Sequence, residues 1–185
     1  MPNLKYSFSD DVFSEFRSQQ IIVKPISERW ERDKYFSLRK EVFGLEQKIF
    51  ENSDIDSADF RSTGIIALSS NFAMPDEVIG AVRIYLDDSD EGGKTWFGGR
   101  LCVASNYRRN RTFSLGTALI NEAVSLAKDL GGERFLANIQ PQNELFFQRL
   151  HWRSIRKVQI HGITHIHMEA DLDRYPFMHR GGMTS

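Results

Sequence analysis

The chain carries one cysteine, Cys102, in 185 residues, so an internal disulfide is excluded. No apolar run approaches the roughly 18–20 residues of a membrane helix. No secretory n-region or apolar h-region stands at the start, and a lone thiol suits a reducing compartment, so the expected home is the cytoplasm. A basic excess is also missing. Lys+Arg 24 against Asp+Glu 25 gives a formal net charge of -1, which argues against a general nucleic-acid binder. There is no internal repeat and no long linker. The Gly-x-Gly-x-x-Gly loop of dinucleotide folds and the Gly-Lys-Ser/Thr of phosphate-binding loops are both absent.

What is present suits one domain with a sizeable core, rich in rings because the chain holds 14 phenylalanines. Residues 21–176 read as that domain, 1–20 as an N-terminal appendage and 177–185 as a polar, frayed tail. In the appendage, Ser9 to Phe16 has the spacing of a short helix, with Val12, Phe13 and Phe16 on one face.

Ile21–Lys24 reads as a strand. Ser27 then caps a helix whose apolar side is Trp30, Tyr35, Leu38, Val42 and Phe43, with Gly44 near its end. The acidic stretch Glu46–Asp59 reads as a loop with a short helical turn. Gly64–Leu68 and Val78–Leu86 are strands, with Asn71–Glu77 as the turn between them. Trp96–Ala104 is another strand. Leu115, Leu119, Ala123, Leu126, Ala127 and Leu130 repeat at helical spacing until Gly131-Gly132. Arg134–Ile139 is a strand, Asn143–Leu150 a short helix, and Ser154–Ile160 with Thr164–Ala170 a closing hairpin. The order β-α-β-β-β-α-β-α-β-β belongs to an α/β (α+β) domain, a mixed sheet with helices on its faces and one parallel crossover.

The most telling stretch is Gly99–Thr117, where an apolar strand enters a loop with Arg108, Arg109 and Arg111 and the loop opens into a helix. Unpaired N–H groups, the positive dipole end and the arginines together make a receptor for a pyrophosphate.

Arg111, Ser114 and Gly116 occupy the spaced positions of Arg/Gln-x-x-Gly-x-Gly/Ala. This resembles the acyl-CoA loop of the GCN5-related N-acetyltransferase (GNAT) superfamily. Ser114 stands where the middle glycine is usual, a departure that would cost free energy if φ were positive there. Further motifs resemble one branch of these enzymes. They are Leu38-Arg39 through Phe43 to Glu46-Gln47, Asp54-x-Asp56 with Asp59, Gln140 with Asn143, Phe146-Phe147-x-x-Leu150-His-Trp152, and Gly162-Ile-x-His165-x-x-Met168. The run from Gly99 to Tyr175-Pro176 is most similar to a bacterial group linked by name to nitrogen starvation.

The resemblance implies a GNAT fold, with a mostly antiparallel sheet of about seven strands. It implies direct acyl transfer, most readily of acetyl, from acetyl-CoA to a small-molecule amine, with no acyl-enzyme and no metal. The strand around Arg100–Val103 would splay from the next one to admit the acyl-pantetheine arm. Backbone N–H groups of Leu101 and Val103, beside Cys102, would face the cofactor, and one would polarise the thioester carbonyl, worth about 3 kcal/mol. Arg108, Arg109, Asn110, Arg111, Ser114, Leu115, Gly116 and Thr117 would hold the pyrophosphate. Asn143 would touch the pantetheine or adenosine side, and Phe147 would pack near sulfur. Many members carry a tyrosine that protonates the leaving thiolate, but the equivalent position here is Phe147. Tyr107, His151 and Tyr175 are alternative donors, and His151 itself stands where the superfamily usually has glycine. Dimers are common in the superfamily, and the aromatic appendage would supply an interface.

An amine acceptor is almost wholly protonated at neutral pH, so a base or a water relay must remove a proton. Glu46 is the first candidate, and His165 and Glu169 come next. Cys102, in an apolar strand, reads as buried and inert rather than as a nucleophile. His161, His165 and His167 alternate on one strand face but lack an obvious acidic partner set, so a structural or substrate-contact role outweighs zinc. Asp54, Asp56 and Asp59 fail the calcium-loop pattern, which needs a glycine at its sixth position and a glutamate at its twelfth, neither of which the segment has. They read as loop caps or as attractors of a cationic acceptor. Two other functions stay open: an N-acyl amino acid or homoserine-lactone type of synthase fed by an acyl-carrier protein, and a non-catalytic acyl-CoA sensor.

Overall fold

The computed structural model describes residues 19–47, 53–71, 74–108, 114–160 and 162–177. The proposed helix Ser9–Phe16 and the tail from Met178 lie outside the described residues. The elements are β1 (Gln19–Pro25), α1 (Arg29–Arg39), β2 (Thr63–Asn71), β3 (Met74–Leu86), β4 (Thr95–Val103), α2 (Leu115–Asp129), β5 (Arg134–Ile139), α3 (Glu144–Arg149), β6 (Trp152–Ile160) and β7 (Ile163–Ala170). The seven strands form one sheet in the order β1-β2-β3-β4-β5-β7-β6. All neighbours are antiparallel except β4 and β5, which the crossover helix α2 makes parallel.

Alternation along the strands divides the core between the two faces. On one face α2 lays Leu119, Ile120, Ala123 and Val124 over Ile65, Ile79, Val82 and Ile84. Gly80 permits this closeness, because a Cβ there would meet Leu119 Cδ1 at 2.8 Å. On the other face α1 buries Tyr35 and Leu38 against Ile66, Leu68, Ala81 and Cys102. No helix among the described residues is long and apolar enough to cross a membrane.

Several boundaries differ from the sequence reading. Glu28 caps α1 in place of Ser27, with a reciprocal capping box to Glu31. Trp30 falls in the first turn of α1 and is 38% exposed. The chain does not stop at Gly44 but winds as a π-helix through Lys40–Glu46, closed by Gln47 N–H donating to Val42 O at 3.0 Å. Strands β2 and β3 extend to Asn71 and from Met74, so the proposed Asn71–Glu77 turn is mostly strand.

Candidate active site

The pairing of β4 with β5 covers four residues and ends at Gly98↔Ala137. Beyond this point β4 runs on to Val103 while β5 turns to β7, pairing Asn138↔His167 and Ile139↔Ile166. The two strands therefore fork, and the β4 edge from Gly99 to Val103 leaves the ladder with β5. This is the splay expected for that strand.

A bulge lies on the same edge. Ala81 pairs with Cys102 and Arg83 with Gly99, so Arg100 and Leu101 stand opposite the single residue Val82. Arg100 takes φ 55, a left-handed conformation rare for a residue with a Cβ. Its guanidinium fixes it there, with Nη2 donating to Asp54 O at 2.9 Å and to Asp56 Oδ2 at 3.0 Å. Leu101 and Val103 turn their side chains to the α2 face, and Cys102 faces the α1 core. Burial pushes the Cys102 thiol up to about 12, so the sulfur is an uncharged core atom, as its setting in the sequence suggested.

Behind the bulge is a buried network that composition and periodicity do not reveal. Arg39 is fully buried and donates from Nε to Asp54 Oδ2 and from Nη1 to Asp59 Oδ1, both at 2.6 Å. Arg83 binds both oxygens of Asp56 at 2.7 and 2.6 Å and reaches Asp59 Oδ2 at 2.8 Å. Burial alone would raise the Asp59 carboxyl, but the Arg39 and Arg83 hydrogen bonds outweigh it and hold it at about 2. Asp56 caps the turn Ser57–Phe60 by accepting from Ala58 N–H, in line with the capping role read from the sequence. The alternative that these acids attract a cationic acceptor is corrected, because Arg39, Arg83 and Arg100 already neutralise them.

The expected anion site is described in part. Arg109, Asn110 and Arg111 lie outside the described residues. Ser114 has φ -86 and is the N-cap of α2, its Oγ accepting from Thr117 N–H at 3.3 Å. The position does not require positive φ, which explains why serine replaces glycine at no conformational cost. The N–H groups of Leu115 and Gly116, in the first turn, have no intrahelical acceptor. Arg108 does not extend toward them. It donates from Nε to Val103 O at 2.7 Å, and its Nη2 lies 2.6 Å from Glu46 Oε2. Asn143 is exposed just before α3. Phe147 is buried, edge-on to Phe146 and Trp152.

The three proposed bases separate. Glu46 closes the π-helical turn and is bound to Arg108. His165 lies on β7, its Nδ1 3.0 Å from Ile163 O, opposite Val158 rather than any β5 residue. Glu169 lies on the same strand face as His167, two residues farther from Val103. It pairs with Leu136, the partner of Phe97, six residues and roughly 20 Å along β4 from Val103. Arg134 and Arg153 hold it at 2.7 and 2.5 Å, and their hydrogen bonds overcome burial to keep its carboxyl below the usual range. Held this way, Glu169 is an ion-paired carboxylate rather than a free base. Among the proton donors, Tyr175 is committed elsewhere, accepting from Trp152 Nε1 and donating to Leu150 O. His151 takes φ 64 on the surface, a backbone position that explains the superfamily's glycine. His161 lies outside the described residues, so the three-histidine face has two described members, His165 and His167.

Nothing in the sequence alone marks His167 as a base, because its register partner is set by the fold. Its Nδ1 lies 2.8 Å from Asn138 Oδ1, on the half-exposed α1 face beside the fork.

Comparison with known proteins follows the same lines. The model of the acetyltransferase (GNAT) family matches residues 23–152. No curated protein sequence matches the chain. Among solved structures, Escherichia coli ElaA superposes with a TM-score of 0.66 at 20% identity, over 82% of this chain and 100% of that one. An acyl-CoA N-acyltransferase from Pseudomonas aeruginosa gives 0.64 at 20% identity, over 83% and 99%. A CoA-dependent acyl-homoserine lactone synthase, BjaI, solved with SAM and isopentyl-CoA, gives 0.63 at 16% identity, over 83% and 84%. At these identities the likeness is one of fold.

Proposed function

The chain belongs to the acetyltransferase (GNAT) family, and from that premise we propose that it transfers an acyl group, acetyl foremost, from acyl-CoA directly to the amine of a small molecule. The fork carries this reading. A bare strand edge, Gly99–Val103, opens beside the N-terminus of α2, where a thioester arm and a pyrophosphate need to be some residues apart on one rigid frame. Leu115 and Gly116 N–H, with Arg108, would hold the phosphates, and the undescribed Arg109, Asn110 and Arg111 would join them. Leu101 and Val103 would align the acyl carbonyl at the bulge, one N–H stabilising the developing oxyanion. Within the family, the run from Gly99 to Tyr175-Pro176 favours the group linked by name to nitrogen starvation.

Cofactor chemistry supplies an activated acyl group and a good leaving thiolate. The chain's contribution is alignment of the carbonyl at the β4 edge and proton removal from the acceptor. Release of CoA thiol from acetyl-CoA, followed over a panel of primary amines, tests this. Amine-dependent release supports it. Release from an acylated carrier protein with none from acetyl-CoA would favour the carrier-fed synthase, and binding without release would favour a sensor.

A further inference from the structure

Asn138 is the first β5 residue past the last β4–β5 pair, and its register partner across β7 is His167. The Nδ1–H of His167 donates to Asn138 Oδ1 at 2.8 Å. That fixes the tautomer and leaves Nε2 as the basic nitrogen. The His167 ring lies 5.8 Å from that of Phe97, which in turn stacks on Tyr85 at 5.9 Å. Three strands thus present a row of half-exposed rings on the α1 face.

The other arm of the fork offers a floor without a side chain. A Cβ on Gly99 would find Arg83 Nε, at 3.8 Å, as its nearest neighbour. Arg83 is 3% exposed, and this Nε has no hydrogen-bond partner among the described residues. A buried donor without a partner is costly, and a small shift of Arg83 toward the open floor at Gly99 would let a ligand oxygen there satisfy it. The rings, the bare floor and the orphan donor converge beside the edge that aligns the thioester.

We propose that His167 is the base that deprotonates the acceptor amine, that Asn138 is its positioning residue, and that the acceptor is a primary amine bearing a flat apolar ring and a hydrogen-bond-accepting oxygen. This rests on the acyl-CoA reading above. The ammonium proton passes to His167 Nε2. The freed nitrogen lone pair attacks the thioester carbonyl carbon, so a C–N bond forms and the C–S bond breaks. The sulfur leaves with the bonding pair and takes the second nitrogen proton, giving amide and thiol. His167 then returns its proton to solvent.

The charged groups around His167 favour its neutral form. Burial comes first, then the charges of Arg156 on β6 and Arg134 on β5, opposed by Glu169 on β7 and Asp87 beyond β3. Its imidazole titrates below the usual histidine value and is a ready base at neutral pH. The rate is then full above that point and falls as pH drops through it.

The test follows CoA release from acetyl-CoA with 2-amino-1-phenylethanol, which has the amine, the oxygen and the ring, against pH. Calorimetry of acetyl-CoA binding runs alongside for every variant. The wild type should show an acid limb below the usual histidine range. His167→Gln should lower kcat by about 100-fold or more and abolish that limb, with acetyl-CoA affinity unchanged. Asn138→Asp should keep activity but move the limb upward by about one pH unit, because a carboxylate beside the ring favours its charged form. An unchanged limb in both variants overturns the assignment of His167 and leaves the acyl-CoA site standing. Acetyl-CoA binding with no amine-dependent release overturns the assignment as well. Failure to bind acetyl-CoA overturns the acyl-CoA reading and this inference with it.

Discussion

Arg108 joins the two halves of the candidate site, donating to Val103 O at 2.7 Å and meeting Glu46 Oε2 at 2.6 Å. It ties the last residue of β4 to the end of the π-helical turn, on the side where phosphates would enter. A cation so placed has to exchange partners when an anion arrives. Glu46→Gln removes the competing carboxylate. An exposed pair of this kind is worth about 0–1 kcal/mol, so CoA should bind up to about five times more tightly to that variant. Titration calorimetry reads this directly, and weaker binding would mean that Arg108 does not take the phosphates.

Asp59 accepts from two buried arginines, so its loss leaves unpaired charge in the core. Asp59→Asn should cost about 3–5 kcal/mol in urea denaturation. The pH dependence follows from the direction of the shift. The folded carboxyl sits at about 2, below its unfolded value, so its stabilisation is complete above the unfolded value and is lost as pH falls through about 2. Wild-type stability should decline steeply over that acid window, and Asp59→Asn should flatten the decline.

Ser114 caps α2 with an ordinary negative φ. Ser114→Ala should therefore destabilise by about 1 kcal/mol, and Ser114→Gly by a few tenths. Were the backbone left-handed there, glycine would stabilise instead. Thermal unfolding of both variants separates the two cases.

His151 sits at φ 64 between α3 and β6. His151→Gly relieves the left-handed strain, worth about 1 kcal/mol, and should raise Tm by about 2–4 °C. A lowered Tm would show that the imidazole makes a stabilising contact outweighing the strain.

The order of elements was legible because period and punctuation agree. Leu119, Ala123 and Leu126 recur at helical spacing before Gly131-Gly132, and α2 ends at Asp129. The β-branched run Val78-Ile79, with Val82 and Ile84, marks a strand whatever its partners, so β3 was recognisable, though not its full length or the bulge that turns both Ile79 and Gly80 to the α2 face. What escaped depends on contacts between distant segments. Arg39 meets Asp54 and Asp59 at separations of 15 and 20 residues, and His167 meets Asn138 at 29. No local pattern encodes those registers. Glu169 looked suitable as a base by residue type, yet the fold seats it between Arg134 and Arg153, contacts that no local pattern encodes. Ser114 looked like a departure from a glycine pattern, but its side chain does the work of a helix cap.

Binding of acetyl-CoA by titration calorimetry, in the wild type and in Arg108→Ala, tests the central claim most directly. Saturable one-to-one binding that weakens when Arg108 is removed is the predicted result. Absence of binding to the wild-type chain would contradict the acyl-CoA site at the β4–β5 fork.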